Sequence, residues 1–269
     1  MPIKGRYALV TGTSSGMGYE IAKLFASEGA IVACCDINTN KELIQSITSN
    51  GGRAKSFTFD ASSKTDLITL TKDVLLWTNN KLDILINNAG VSTFSMLDDD
   101  DETYEKAWDF CFDINVRAQQ RLSRLLLPQL IESPYSGRIV NVASTEGLGA
   151  TIFNSPYVAS KHASVGLTKA MAVELASRNV TVNCICPGPI RTGMTSMIPN
   201  KQKDLFAKRL VPMRRYGNPK EVAYMHLALV DDRATFTNGT IVNVDGGILA
   251  NNALLPYRLP WEKKVQAKL

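Results

Sequence analysis

Histidine is nearly absent from this 269-residue chain, with His162 and His226 the two copies, so a histidine-built metal centre is not available. Cysteine is scarce and unpatterned. Cys34, Cys35, Cys111, Cys184 and Cys186 form an odd set without a Cys-x-x-Cys spacing, and four of them stand in apolar strand-like runs. They read as small buried hydrophobes, not as a disulfide or metal framework. No apolar run approaches membrane-spanning length, and residues 1–7 carry no leader-type apolar region or small-residue cleavage site. A cytoplasmic protein without membrane contact is expected. Charge of one sign is lacking too: of the net +5, Arg258, Lys263, Lys264 and Lys268 against Glu262 supply +3, and the rest is nearly balanced. A solvated tail is expected and nucleic acid is not an expected partner.

What is present is a regular alternation of short apolar, β-branched runs with longer helical patterns. The runs fall at 7–10, 31–35, 54–59, 84–86, 138–142, 181–186 and 240–244. This predicts an α/β protein: a seven-stranded parallel sheet with helices on both faces, doubly wound in the Rossmann manner. Residues 1–250 read as a single nucleotide-binding catalytic domain, and 251–269, with Pro256 and Pro260, as an extended tail. Two segments interrupt the alternation. The acidic run 98–102 precedes a helical pattern over 104–127, where carboxylates suit the helix start. Residues 192–215 lie between two Pro-containing turns and carry Met194, Met197, Ile198, Leu205, Phe206 and Leu210.

The first strand runs into Thr11-Gly12-Thr13-Ser14-Ser15-Gly16-Met17-Gly18 and then a helical pattern. A strand, a glycine-rich turn and a helix N-terminus present backbone N–H groups to a pyrophosphate. The second strand ends at Asp36, eighteen residues after Gly18, where an acid accepts hydrogen bonds from ribose hydroxyls. Its charge repels a 2′-phosphate, and no Arg or Lys stands at positions 13–15, so NAD is the expected cofactor in preference to NADP. Further on, Tyr157 and Lys161 are four apart, which on a helix places them on one face. A neighbouring ammonium favours phenolate, so the Tyr157 pKa is expected below its ordinary value of about 10. Such a tyrosine serves as acid and base near neutral pH.

These strings together resemble the short-chain dehydrogenase/reductase family from about Gly5 to Gly247. The spacing Thr-Gly-x-x-x-Gly-x-Gly is the family's form, as are Asn87-Asn88-Ala89-Gly90, Ser144 thirteen residues before Tyr157, Pro187-Gly188-Pro189-Ile190-Arg191-Thr192 and Asn238-Gly239-Thr240 to Asp245-Gly246-Gly247. The resemblance implies a catalytic set of Asn115, Ser144, Tyr157 and Lys161. Tyr157 is then the general acid/base, Ser144 bonds the reacting oxygen, and Lys161 tunes Tyr157 and holds the nicotinamide ribose. Asn115 positions a relay water. The cofactor is expected along Gly12, Ser14, Ser15, Gly16, Met17 and Gly18, at Asp36 and Ile37, and at Asp60 and Ala61 beside the adenine. Asn87, Ala89 and Gly90, then Pro187, Gly188, Ile190 and Thr192 at the nicotinamide, complete that expectation, together with Tyr157 and Lys161.

The family's mobile loop over the substrate corresponds to 192–215. Met194, Met197 and Phe206, with Phe94, Ile152 and Phe153 opposite and Ser144 at the base, suggest a hydrophobic secondary alcohol or ketone as substrate, though the same residues serve equally to pack the loop on the body. The alternative within the family is a 3-oxoacyl thioester (acyl carrier protein) reductase, because Arg117, Arg121 and Arg124 fall on one helical face and suit an acidic carrier. A non-catalytic NAD-binding regulatory protein is a third reading, against which the complete catalytic set stands. Family members are commonly tetramers, so a homotetramer is expected, with the tail reaching a neighbouring subunit.

Overall fold

The computed structural model describes residues 1–251. Seven parallel strands form one sheet: β1 (Tyr7–Thr11), β2 (Ile31–Asp36), β3 (Arg53–Thr58), β4 (Ile84–Asn87), β5 (Gly137–Val142), β6 (Val180–Pro187) and β7 (Ile241–Val244). Their order is β3-β2-β1-β4-β5-β6-β7. The winding reverses between β1 and β4, where Ala8 pairs with Ile84 and Val10 with Ile86. Such a reversal opens a crevice at the strands' carboxyl ends.

Every residue of β2, β5 and β6 is buried, as expected of strands covered on both sides. Alternate side chains part to opposite faces. Ala8, Val10, Val32, Cys34, Ile84 and Ile86 meet Ile21, Phe25, Val222 and Val230, which come from α1 (Gly16–Ser27) and α9 (Pro219–Val230). Leu9, Ala33, Cys35 and Leu85 meet Leu67, Leu70, Leu122 and Leu175 on the other side. All five cysteines are free and buried within this framework. The remaining helices are α2 (Lys41–Ser49), α3 (Lys64–Trp77), α4 (Asp101–Phe112), α5 (Ala118–Leu125), α6 (Leu127–Ile131), α7 (Ser155–Leu175) and α8 (Asn200–Leu210). Among the described residues no helix is long and apolar enough to cross a membrane.

The single helical pattern read over 104–127 is broken in the structure. The acidic run starts α4, with the Asp100 carboxylate accepting from the Thr103 N–H at 3.0 Å. At Asp113–Arg117 the helix loosens into a π-turn before resuming as α5. Pro128 then enters the first turn of α6. Single π-turns leave no periodicity signal of their own, so the break was not legible. The tail expected over 251–269 lies outside the described residues except for Asn251.

His226 on α9 is fully buried, with Nδ1 bonded to the Val222 carbonyl at 2.9 Å and Nε2 unpartnered among the described residues. Burial pulls its pKa from 6.5 down to about 4. As pH falls from 6.5 to 4 the unfolded chain takes up a proton that the folded chain refuses, so stability drops through that window. At about 1.4 kcal/mol per pH unit the loss is on the order of 3 kcal/mol. In urea unfolding at pH 7 and pH 4.5, the His226→Leu variant should lose less stability on acidification than the parent.

Candidate active site

The crevice at the reversal is built by glycine. Gly12 and Gly16 take φ of +72° and +61°, and a Cβ on Gly18 would stand 2.0 Å from the Gly12 carbonyl oxygen. The turn and α1 thus approach closer than any side chain permits. Ser15, at the N-cap of α1, makes no side-chain capping bond, which leaves that helix end's N–H donors for an anion. The Asp36 carboxylate, at the end of β2, accepts from the N–H groups of Ser14 at 2.9 Å and Asn38 at 3.0 Å. Ile37 beside it is 64% exposed on the rim. Asp60 accepts from the Ser62 N–H and hydroxyl, and Ala61 packs into the second core cluster.

The β4 end is laced to the β1 end. The Asn88 and Ala89 N–H groups donate to Thr11 Oγ1 at 3.0 and 2.9 Å, and the Asn88 side-chain amide donates to the carbonyls of Thr11 and Gly12. Asn40 bonds Thr13 and the Cys34 carbonyl from the other side. Thr11, Asn40 and Asn88 were absent from the expected site; the doubled asparagine in Asn87-Asn88 was the one signal for this lacing. Asn87, expected at the cofactor, commits its amide instead to Asn141 at 2.9 Å and Ser123 at 3.3 Å beneath the sheet end. Met17 packs its side chain against the core. Pro187 ends β6, and a Cβ on Gly188 would stand 2.8 Å from Asp245. Ile190 is buried and bridges Gly217, while the Thr192 side chain lies 3.2 Å from where a Gly16 Cβ would be. Thr192 therefore lies against the glycine turn, and a glycine turn before a helix N-terminus is of the kind that suits a pyrophosphate.

Tyr157, Lys161, Ser144 and Asn115 converge at the carboxyl end of β5. Pro156 opens α7, and the four-residue spacing turns Tyr157 and Lys161 inward together, both more than nine-tenths buried. Lys161 Nζ donates to the Val142 carbonyl at 3.1 Å and stands 5.5 Å from the Tyr157 ring centre. Ser144 caps a short turn by accepting from the Glu146 N–H at 3.1 Å and also bonds the Tyr157 hydroxyl. The fully buried Asn115 lies in the π-turn, donating to the Val91 carbonyl at 2.9 Å and Ser160 Oγ at 3.0 Å while accepting from the Val91 N–H. A Cβ on Gly90 would meet Asn115 Oδ1 at 3.1 Å and Lys161 Nζ at 3.2 Å, so glycine leaves room for both.

The expected depression of Tyr157 is reversed. Burial raises its pKa to about 12, against the hydrogen bond from Ser144, which lowers it. Lys161, desolvated in turn, is pulled down to about 8. An ammonium tethered to a carbonyl does not offset the cost of placing an anion in that interior.

A family model described as "Enoyl-(Acyl carrier protein) reductase" matches residues 12–249. The chain is 32% identical to the 3-oxoacyl-[acyl-carrier-protein] reductase FabG of Thermotoga maritima over 253 residues, covering 93% of this chain and 100% of that one. The chain is a short-chain dehydrogenase/reductase. Solved members share its fold. A 7α-hydroxysteroid dehydrogenase complexed with NADH and 7-oxo glycochenodeoxycholic acid superposes with a TM-score of 0.84 at 31% identity, covering 91% of this chain and 94% of that one. A structure from Agrobacterium tumefaciens with bound NADP gives 0.83 at 32% identity, over 93% and 98% of the two chains.

The expected substrate residues of this dehydrogenase/reductase do not form one wall. Ile152 and Phe153 line an apolar groove of about 540 Å³ with Ser95, Met96, Leu97 and Val158. Phe94, 77% exposed, and the half-exposed or more open Met194 and Met197 stand outside that lining. Phe206 packs edge-on against Tyr216 at 6.0 Å, in the role of fixing α8 to the body. Phe206 lies on α8 and the others outside the long helices, and no sequence pattern tells these destinations apart.

Proposed function

We propose that this protein is an NADH-dependent reductase of 3-oxoacyl thioesters, with Tyr157 as the proton donor. The observation that carries the reading is the buried Tyr157 phenol, which keeps its proton to about 12 beside Ser144 and Lys161. A protonated phenol can give its proton to a ketone oxygen, and the same group takes it back in the reverse oxidation. A bound nicotinamide supplies the hydride to the ketone carbon. Ser144 donates a hydrogen bond to the ketone oxygen as charge develops there. The positive charge of Lys161 favours the phenolate left after transfer, and its ammonium offers donors to a ribose. Asn115 holds the Gly90-Val91 turn through both ends of its amide.

The glycine turn and the first turn of α1 hold the pyrophosphate, and Asp36 takes the ribose hydroxyls. The same carboxylate, with no cation at positions 13–15, supports NADH over NADPH. Similarity to FabG over its full length supports a thioester over a free ketone. So does the charge of residues 191–215, where seven Lys and Arg stand against Asp204 and against Glu221 on Arg215, a net +5. That segment complements the phosphates of an acyl carrier. The apolar groove supports an acyl chain.

The test is the kcat/KM of acetoacetyl-CoA against simple ketones, each with NADH and NADPH. The thioester with NADH is expected to lead by at least about tenfold, a difference of 1.4 kcal/mol. Simple ketones turned over equally well would return the substrate to a free hydrophobic ketone, and an NADPH preference would overturn the role given to Asp36. With a simple ketone as well, the rate of reduction should fall above about pH 8, as Lys161 loses the charge that favours phenolate. The proposal includes a homotetramer packed through α4 and α7, whose Phe110 and Val173 are 46% and 83% exposed. Light scattering at micromolar concentration tests it, and a monomeric mass would refute it.

A further inference from the structure

Behind the four site residues lies a second polar pair, Gln119 on α5 and Ser164 on α7, at 2% and 0% exposure. Ser164 Oγ stands 2.7 Å from Gln119 Oε1 and 3.0 Å from the main-chain carbonyl of Asn115 in the π-turn. A hydroxyl has one proton, so it donates to one of these acceptors at a time. The other end of Gln119, Nε2, reaches the Val142 carbonyl at 3.4 Å, the same oxygen that accepts from Lys161 Nζ at 3.1 Å. The opposite amide orientation would set Gln119 Oε1 against that carbonyl, which fixes the direction of the chain of bonds.

The pair is itself held from behind. Ser123 Oγ donates to the Gln119 carbonyl at 2.7 Å, and Thr168 Oγ1 donates to the Ser164 carbonyl at 2.8 Å. Asn141 then donates to Thr168, and Asn87 to Asn141. This assigns a purpose to the Asn87 amide: it ends a buried network that begins at Lys161.

We propose that Gln119 and Ser164 are positioning residues that set how firmly Lys161 is held on the Val142 carbonyl. With the Ser164 proton on Gln119, the amide is oriented to share Val142 with Lys161 and the Asn115 carbonyl stays open as an acceptor. With the proton on Asn115, that acceptor is filled and Gln119 loses its orientation. The pair thereby couples the two ends of the site through one hydroxyl rotor, and it acts through Lys161 without touching substrate. The other titratable groups facing Lys161 are Tyr157 on its own helix, Cys184 and Cys186 from β6, and Cys111 from α4, with Glu146 facing Tyr157. None of them is substituted in the variants below.

The inference rests on the assignment of Tyr157 and Lys161 but not on the identity of the substrate. The experiment is the pH profile of kcat/KM with any ketone the enzyme reduces, for Ser164→Ala, Ser164→Thr, Gln119→Leu and Gln119→Glu. Gln119→Leu leaves Val142 wholly to Lys161, which favours the ammonium and moves the alkaline limb to higher pH, by about half a unit or more. Gln119→Glu, close in shape and able to fold where Leu is not tolerated, moves it the same way by placing a carboxylate near Lys161. Ser164→Ala should lower kcat about five- to thirtyfold with a displaced limb, and Ser164→Thr, which keeps the hydroxyl, should restore both. Alkaline limbs within about 0.2 of a pH unit of the parent in Ser164→Ala and Gln119→Leu, whatever happens to kcat, would overturn the inference. Tyr157→Phe, run alongside, separates the two readings: if it remains active, the proton-transfer assignment itself has failed.

Discussion

Tyr157→Phe should lower kcat roughly 10²–10⁴-fold, the range associated with removal of a positioned general acid, while NADH affinity stays within a few-fold of the parent. The substitution removes one oxygen and keeps a ring of the same shape in a site that is 9% exposed, so the packing of α7 is preserved. Lys161, tethered to the Val142 carbonyl, has no direct bond to lose. Ser144 loses its bond to the phenol but keeps the one from the Glu146 N–H. The loss therefore belongs to the chemical step and not to binding. Steady-state kinetics with a fluorescence titration of NADH reads both quantities, and substantial residual turnover would remove Tyr157 from its role.

Gly18→Ala should act on the other half of the site. The added methyl would stand 2.0 Å from the Gly12 carbonyl oxygen and 2.6 Å from Asn88 Nδ2, both atoms held by the lacing of β1 to β4. Contacts so short cannot be met by rotating a side chain, so the turn or α1 must shift. Overpacking of this kind costs about 1–3 kcal/mol, which on the binding geometry is about a ten- to hundredfold loss of NADH affinity. Gly166→Ala is the matched control. Gly166 lies within α7 with nothing inside 4 Å of its missing Cβ, so alanine there should leave affinity unchanged and raise stability by about 0.5–1 kcal/mol. Equal NADH affinity in Gly18→Ala and the parent would remove the close-approach argument.

The strands were legible because each is a local run of β-branched and apolar residues, and the observed bounds differ from the expected ones by a residue at most at either end. The glycine turn was legible because positive φ and close approach select glycine one residue at a time. Tyr157 and Lys161 were placed by spacing within one helix, Asp36 by its place at the end of β2 after the glycine turn, and Ser144 by the resemblance. Asn115 was found by resemblance, yet the π-turn that carries it was not, since its existence depends on what α7 and the Val91 turn offer its amide. The packing of Phe206 on Tyr216 and the exposure of Phe94 were not legible for a related reason: what an apolar side chain outside the main core touches is decided by neighbours distant in sequence.

The sequence by itself determined the doubly wound sheet, the position of the nucleotide turn and the company that Tyr157 keeps. These follow from periodicity and steric rules that act over a few residues. Tertiary structure alone decided the sign of the Tyr157 shift, the turning of Asn87 beneath the sheet, and the sharing of one carbonyl by Lys161 and Gln119. Those outcomes depend on desolvation and on acceptors delivered by strands and helices distant in sequence. The spacing of Tyr157 and Lys161 brings a cation near a phenol, but how much water is left around the pair is set by everything packed over it.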